Sequence, residues 1–176
     1  MKEVKSMKIE NIYFDMDGVL ADFDRGLKEL GNFEKVDQSE ATEESDEALW
    51  NVVRTTPHFY DRLEPMPGAV EMFRTLYDRY GDKCEILSAM PKPHRGVPSA
   101  CEDKVSWARR NLSELLTINL VYRAEKKYFV KGKGSILIDD YDINIREWTK
   151  LGGTGILFTT AEDCLRQLEE LVKTEE

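Results

Sequence analysis

Short apolar runs and stretches of helical periodicity alternate along this chain. Residues 9–14 are the first run, and it stops abruptly at Asp15. Val70, Phe73, Leu76 and Tyr77 share one face of a predicted helix over 68–80, with Pro67 at its start and Gly81 at its end. Residues 84–87 read as a short strand ending at Ser88, followed by a proline-rich loop from Met90 to Pro98. Ser99 and Glu102 form a capping-box pattern for a helix of about three turns. Residues 117–122 and 135–138 are further strands, the latter ending at Asp139 and Asp140. A helix over 143–151 closes at Gly152 and Gly153, and Asp142 is a candidate cap. Residues 155–158 are a last strand, and Thr160 opens a final helix with Leu165, Leu168 and Val172 inward. Alternation of this kind predicts an α/β fold: a doubly wound three-layer sandwich around a central, mainly parallel sheet.

One stretch breaks the alternation. Residues 32–64 are acidic from Glu34 to Glu47 and then aromatic, with Trp50, Phe59 and Tyr60. They predict a small helical cap inserted after the first strand, leaving 1–31 and 65–176 as the core. The acidic part reads as a solvated surface. The aromatic part packs the insertion onto the core or turns one ring toward a ligand.

Bulk properties narrow the function. The 176 residues suit one domain with a small insertion, and 41% hydrophobic content provides a core. The net charge of -9 argues against wrapping a nucleic-acid polymer, but not against a small phosphorylated ligand held by a local basic cluster. No apolar run approaches a membrane span, and the charged start lacks a signal-peptide core, so the expected location is cytoplasmic with no membrane partner. Cys84, Cys101 and Cys164 are an odd, irregularly spaced set that reads as reduced thiols.

Ligands in doubly wound folds bind beyond the carboxyl ends of the strands. The predicted strand ends deliver Asp15 and Asp17, then Ser88, then Asp139 and Asp140, and the helix after Ser88 offers Lys104. Four carboxylates converging on one point repel one another. A hard divalent cation relieves that conflict, and Mg²⁺ suits one or two carboxylates plus waters and a substrate phosphate. With Lys104 as a fixed charge and Ser88 as a hydroxyl donor, such a group can stabilise a transferring phosphoryl group. Each residue alone has an ordinary explanation in a surface, a turn or a cap; the ordered set does not. Gly132-Lys133-Gly134-Ser135 is rejected as a phosphate loop because it lacks the upstream glycine and runs into a strand. His58 and His94 belong to no metal-ligand pattern and read as surface or packing residues, with His94 near a ligand as the alternative.

The order Asp15-x-Asp17-Gly18-Val19, Ser88, Lys104, Asp139-Asp140 resembles the four motifs of the haloacid dehalogenase superfamily of phosphohydrolases. Four stretches resemble the 5′(3′)-deoxyribonucleotidases within it: Asp15 to Phe23, Thr56 to Tyr60 running into Leu63 to Ala69, Lys104-x-x-Trp107, and Leu137 to Asp140. The resemblance implies an Asp15 nucleophile, an Asp17 acid–base, and Mg²⁺ held by Asp15, Asp140 and the Asp17 carbonyl, with Asp139 assisting. It implies Ser88 and Lys104 on the phosphoryl oxygens, and Phe23 against the base or sugar. Arg123 takes the place of a phosphate-side arginine, and Lys126 or Lys127 that of the lysine after it; Lys127, Ala89 and Lys92 complete the expected substrate-binding set. The chain departs from the nucleotidases at Ala89, where a second hydroxyl is usual, in the loop Lys92 to Pro98, and in a longer segment from Arg123 to Asp139.

The expected function is therefore hydrolysis of nucleoside monophosphates, the small phosphorylated substrate being the chief partner and a homodimer remaining open. A sugar phosphate or other small metabolite is the alternative substrate. Receiver domains also combine acids, Mg²⁺, a hydroxyl and a lysine, but there the acidic pair comes first, and Asp17 here adds a group that speeds dephosphorylation. A silent binding module would not need the full chemical set.

Overall fold

The computed structural model describes residues 7–31 and 42–173. The acidic run that begins at Glu34 lies outside them as far as residue 41. Five parallel strands form one sheet in the order β3-β2-β1-β4-β5. They are β1 (Asn11–Phe14), β2 (Cys84–Ala89), β3 (Thr117–Val121), β4 (Ser135–Asp139) and β5 (Thr154–Leu157). The helices are α1 (Phe23–Gly31), α2 (Glu43–Thr55), α3 (Ala69–Tyr80), α4 (Ala100–Asn111), α5 (Asp142–Lys150) and α6 (Ala161–Lys173).

The central strand explains the layers. Along β1, successive side chains point to opposite faces. Ile12 and Phe14 enter the larger core with Ile86, Ile136, Ile138 and Phe73, while Tyr13 enters a smaller one with Leu87, Leu137 and Trp148. Both faces are dry, as a parallel sheet requires. Edge-to-face rings join sheet and helix on each side: Phe14 to Phe73 at 5.2 Å, and Tyr13 to Trp148 at 5.5 Å. Trp148 also donates to the Ser135 carbonyl at 3.0 Å. Gly134, from the rejected phosphate loop, is a packing glycine: a Cβ there would come within 2.2 Å of the Lys8 carbonyl.

Several local expectations change. Strand β2 runs two residues further than expected, to Ala89, because Ser88 and Ala89 pair with β3. The buried face of α3 is Ala69, Met72, Phe73 and Leu76, with Val70 and Tyr77 on its flanks. In α6 it is Ala161, Cys164 and Leu168, with Leu165 and Val172 on the flanks, and the Thr160 hydroxyl accepts from the Asp163 N–H at 3.1 Å as a cap should. The capping box at Ser99 does not form: its hydroxyl donates to Asp103 at 2.9 Å instead. Asp142 is the first residue of α5, not its cap, and bonds Arg146.

Helices α1 and α2 belong to the stretch that follows β1. The α2 start is capped by a reciprocal Thr42–Ser45 pair, with Glu43, Glu44 and Asp46 favouring the positive end of the helix dipole. Two connectors tie this stretch to the core. Asp22 donates its N–H to the Glu64 carbonyl at 2.7 Å, and Met66 donates to Leu20 at 2.8 Å. Farther out, Arg54 donates to the Arg95 carbonyl at 3.0 Å, and the Arg95 guanidinium lies 5.3 Å from the Trp50 ring centre. The unusual loop after Met90 thus serves as a docking ledge for α2.

Candidate active site

Sheet order decides which residues can meet. Strands β2, β1 and β4 are neighbours, so Ser88, Asp15 and Asp139 emerge side by side at one sheet edge. Asp15 continues the ladder, donating its N–H to the Ile138 carbonyl at 2.9 Å. The chain then turns, with the Gly18 N–H bonded to Ala21 at 2.9 Å. Gly18 has a φ of +84°, and a Cβ there would stand 2.2 Å from Asp140 Oδ2. Glycine is therefore required twice, by the turn and by the close approach of a carboxylate.

Two buried lysines organise the acids. Lys104, from α4, donates to Asp17 Oδ2 at 2.8 Å, to Ser88 Oγ at 3.0 Å and to the Ala89 carbonyl at 2.7 Å. Its three protons are thus directed, and its charge also lies 4.7 Å from the centre of the Tyr60 ring. Lys126 bridges Asp15 Oδ1 and Asp139 Oδ2, both at 2.8 Å. Burial works against the Lys126 ammonium, but Asp15 and Asp139 outweigh it and hold its pKa above the ordinary lysine value.

The acids differ in environment. Burial raises the pKa of Asp17; Lys104 opposes this, and the nearby Asp15 charge adds to it. Asp17 Oδ1 is buried with no hydrogen-bond partner among the described residues, an unstable arrangement unless a proton or another ligand meets it. Burial and the Asp15 charge push Asp139 up to about 6, against the pull of Lys126 and the Tyr141 N–H. Asp139 also accepts from Tyr141 N at 2.9 Å and Asn144 Nδ2 at 3.0 Å. Its oxygens are largely committed to holding neighbours.

Asp15, Asp139 and Asp140 each offer an oxygen, all within 4.8 Å of one another. All-oxygen donors with excess negative charge fit a hard divalent cation. Asp15, Asp139 and Asp140 are therefore the carboxylates that could hold such an ion.

The remaining candidates divide. Phe23 is half-buried at the start of α1, backed by Phe59 at 5.4 Å and Tyr60 at 6.1 Å. Ala89 contributes its carbonyl to Lys104. Arg123 bonds Asn144 Oδ1 at 3.0 Å and Glu147 at 3.4 Å, and reaches Asp139 only through Asn144. Lys92 is exposed on its loop, as is His94. Lys127 does not enter the acid cluster: its ammonium lies 5.5 Å from the ring of exposed Tyr128. The residue that does enter is Lys126. Residues Arg123–Phe129 form a 3₁₀ run, in which positions three apart eclipse, so 123 and 126 share an edge and 127 leaves it. The extra length before Asp139 was the available signal for such a run. His58 was also set aside on sequence, yet its Nδ1 lies 2.8 Å from Asp103 Oδ1.

Comparison with known proteins bears on the family and the fold. The family described as "5' nucleotidase, deoxy (Pyrimidine), cytosolic type C protein" matches residues 8–173. A protein of Bordetella bronchiseptica named "Putative 5'(3')-deoxyribonucleotidase" is 31% identical over 142 residues, 73% of this chain and 73% of that one. A Vibrio phage KVP40 protein of the same name is 30% identical over 129 residues, 73% of this chain; the match spans 65% of the phage protein. Among solved structures, a Had-superfamily hydrolase from Ehrlichia chaffeensis shares the fold with a TM-score of 0.56 at 16% identity, covering 95% of this chain and 100% of that one. The L-2-haloacid dehalogenase of Xanthobacter autotrophicus does so with a TM-score of 0.51 at 14% identity, covering 92% and 83%. Matched along nearly its whole described length, and sharing the fold of these hydrolases, the chain belongs to the 5′-nucleotidase family of the haloacid dehalogenase fold.

Proposed function

We propose that this protein is a Mg²⁺-dependent phosphomonoesterase that hydrolyses nucleoside monophosphates through an aspartyl-phosphate. One observation carries the reading: two carboxylates two residues apart are each held by a separate buried lysine, and burial favours the protonated form of Asp17. Paired acids in unlike environments divide the work of nucleophile and acid.

An Asp15 carboxylate oxygen attacks phosphorus as the bond to the ester oxygen breaks. Asp17 gives its proton to the departing alkoxide. Water then attacks the phosphorus and yields its proton to Asp17, the bond to Asp15 breaks, and inorganic phosphate leaves. Ser88 and Lys104 bind phosphoryl oxygens, and Lys126 keeps Asp15 oriented. Asp15, Asp140 and the Asp17 carbonyl are the residues suited to hold Mg²⁺, which supplies charge neutralisation at the phosphoryl group when bound. Phe23, backed by Phe59 and Tyr60, offers an aromatic face to a base or sugar, which supports a nucleotide over a sugar phosphate.

The test is phosphate release from a panel of deoxy- and ribonucleoside monophosphates and sugar phosphates. Nucleotides are expected to turn over best; if sugar phosphates alone react, the nucleotide reading is wrong. EDTA is expected to silence the enzyme and added Mg²⁺ to restore it. Full activity in EDTA after dialysis would overturn the metal dependence.

A further inference from the structure

Helix α4 does more than carry Lys104. Positions 103, 107 and 110, spaced i, i+4 and i+7, lie on one helical face. All three bind the segment that returns from α2. Asp103 Oδ1 takes His58 Nδ1 at 2.8 Å, Trp107 Nε1 donates to the Leu63 carbonyl at 2.7 Å, and Arg110 donates to the Asp61 side chain at 2.8 Å and its carbonyl at 2.7 Å. The first rung is unusual. His58 is the non-glycine residue with positive φ among the described residues, at +52°, a conformation that costs a side chain energy unless something holds it. Asp103 is buried, and its second oxygen is taken by Ser99 Oγ at 2.9 Å, so the carboxylate is fixed.

The rung joins two chain neighbours of the site. His58 directly precedes Phe59 and Tyr60, which both back Phe23, and Tyr60 also covers Lys104. Asp103 directly precedes Lys104. We infer that His58 is a positioning residue of this site: its bond to Asp103 fixes the Phe59–Tyr60 wall behind Phe23 and over Lys104. The inference rests on the phosphatase reading for its consequence in turnover, and on geometry alone for the bond.

The groups facing the imidazole are Asp103 and Glu102 from α4 and Asp61 from a short 3₁₀ turn over Tyr60–Arg62, with the Arg110 guanidinium bound to Asp61. The Asp103 hydrogen bond and charge come first in raising the His58 pKa. The imidazolium bond is therefore fully present at low pH and weakens to a neutral hydrogen bond as pH rises through the His58 titration. Charge-assisted bonds are roughly twice as strong as neutral ones.

Two variants separate fold from positioning. His58→Gly accepts the positive φ but deletes the bond; His58→Asn also tolerates that φ and keeps a neutral donor. With deoxyuridine monophosphate as probe, His58→Gly is expected to raise KM about threefold with kcat within about twofold, the loss expected for a largely exposed ion pair. His58→Asn is expected to raise KM by less than His58→Gly, about twofold or less, below the His58 titration and to match wild type above it. The titration is read directly by NMR on the free protein, the His58 signal being the one of the two histidine signals that is missing in His58→Asn. His58 is expected to titrate above the ordinary histidine value. A His58 titration at or below the ordinary histidine value, or a His58→Gly variant with wild-type KM across the pH range, overturns the inference. If the wild type releases phosphate from neither this nucleotide nor p-nitrophenyl phosphate, the phosphatase reading fails, and the NMR titration still decides the bond.

Discussion

Asp15→Asn is expected to lower phosphate release by at least about a thousandfold, as removal of a covalent nucleophile does. The substitution keeps the side-chain volume and the β1 ladder. Lys126 keeps Asp139 at 2.8 Å, so the ammonium is not stranded. The variant should therefore melt close to wild type while losing turnover. Single-turnover phosphate release and a thermal melt measure the two halves. A near wild-type rate would remove Asp15 from the nucleophile's role.

Lys126→Met is expected to damage both activity and stability. The two carboxylates it bridges, Asp15 and Asp139, would be left buried together without their shared cation. Removing one partner from a buried ion group costs roughly 3–5 kcal/mol. Lys126 is also what lowers the Asp139 pKa, so its loss drives that pKa further above about 6. An acid with a raised folded-state pKa stabilises the fold where it is protonated and loses that contribution as pH rises through the folded value. The variant should thus lose stability with rising pH across a window extending above the wild-type one. Turnover should fall about a hundredfold or more, the usual cost of one charge-stabilising donor in a phosphoryl or acyl site. Melting temperature against pH, with and without Mg²⁺, measures this, and Mg²⁺ should recover more stability in the variant than in wild type. Equal pH profiles for the two proteins would show that Lys126 does not govern the acid cluster.

Most of this architecture was legible because β-strands in a parallel sheet end where apolar runs end. Phe14 to Asp15 and Ile138 to Asp139 are such ends, and their adjacency follows from the crossover pattern. The difficult parts were those where the backbone departs from the two regular periods. No periodicity announces a 3₁₀ run, so choosing between Lys126 and Lys127 needed the threefold eclipse of that helix. His58 was unreadable for a related reason: its importance comes from a left-handed φ and from a partner 45 residues away. Ser99 misled because a capping sequence can be outcompeted; Asp103 offered its hydroxyl a buried carboxylate in place of a backbone N–H.

Strand β1 is made first but sits in the middle of the sheet, between β2 and β4. During synthesis, one of its edges waits for residues 84–89 and the other for residues 135–139. The central apolar strand and the acids at its tip therefore have no strand partner until residues 84–89 are made, and one open edge until residues 135–139 follow, in a topology whose non-local contacts favour slow folding. An unpaired apolar strand is also a template for association with other chains. The acids at residues 15 and 17, which the finished protein needs two lysines to tolerate, give that exposed strand a repulsive end while it waits.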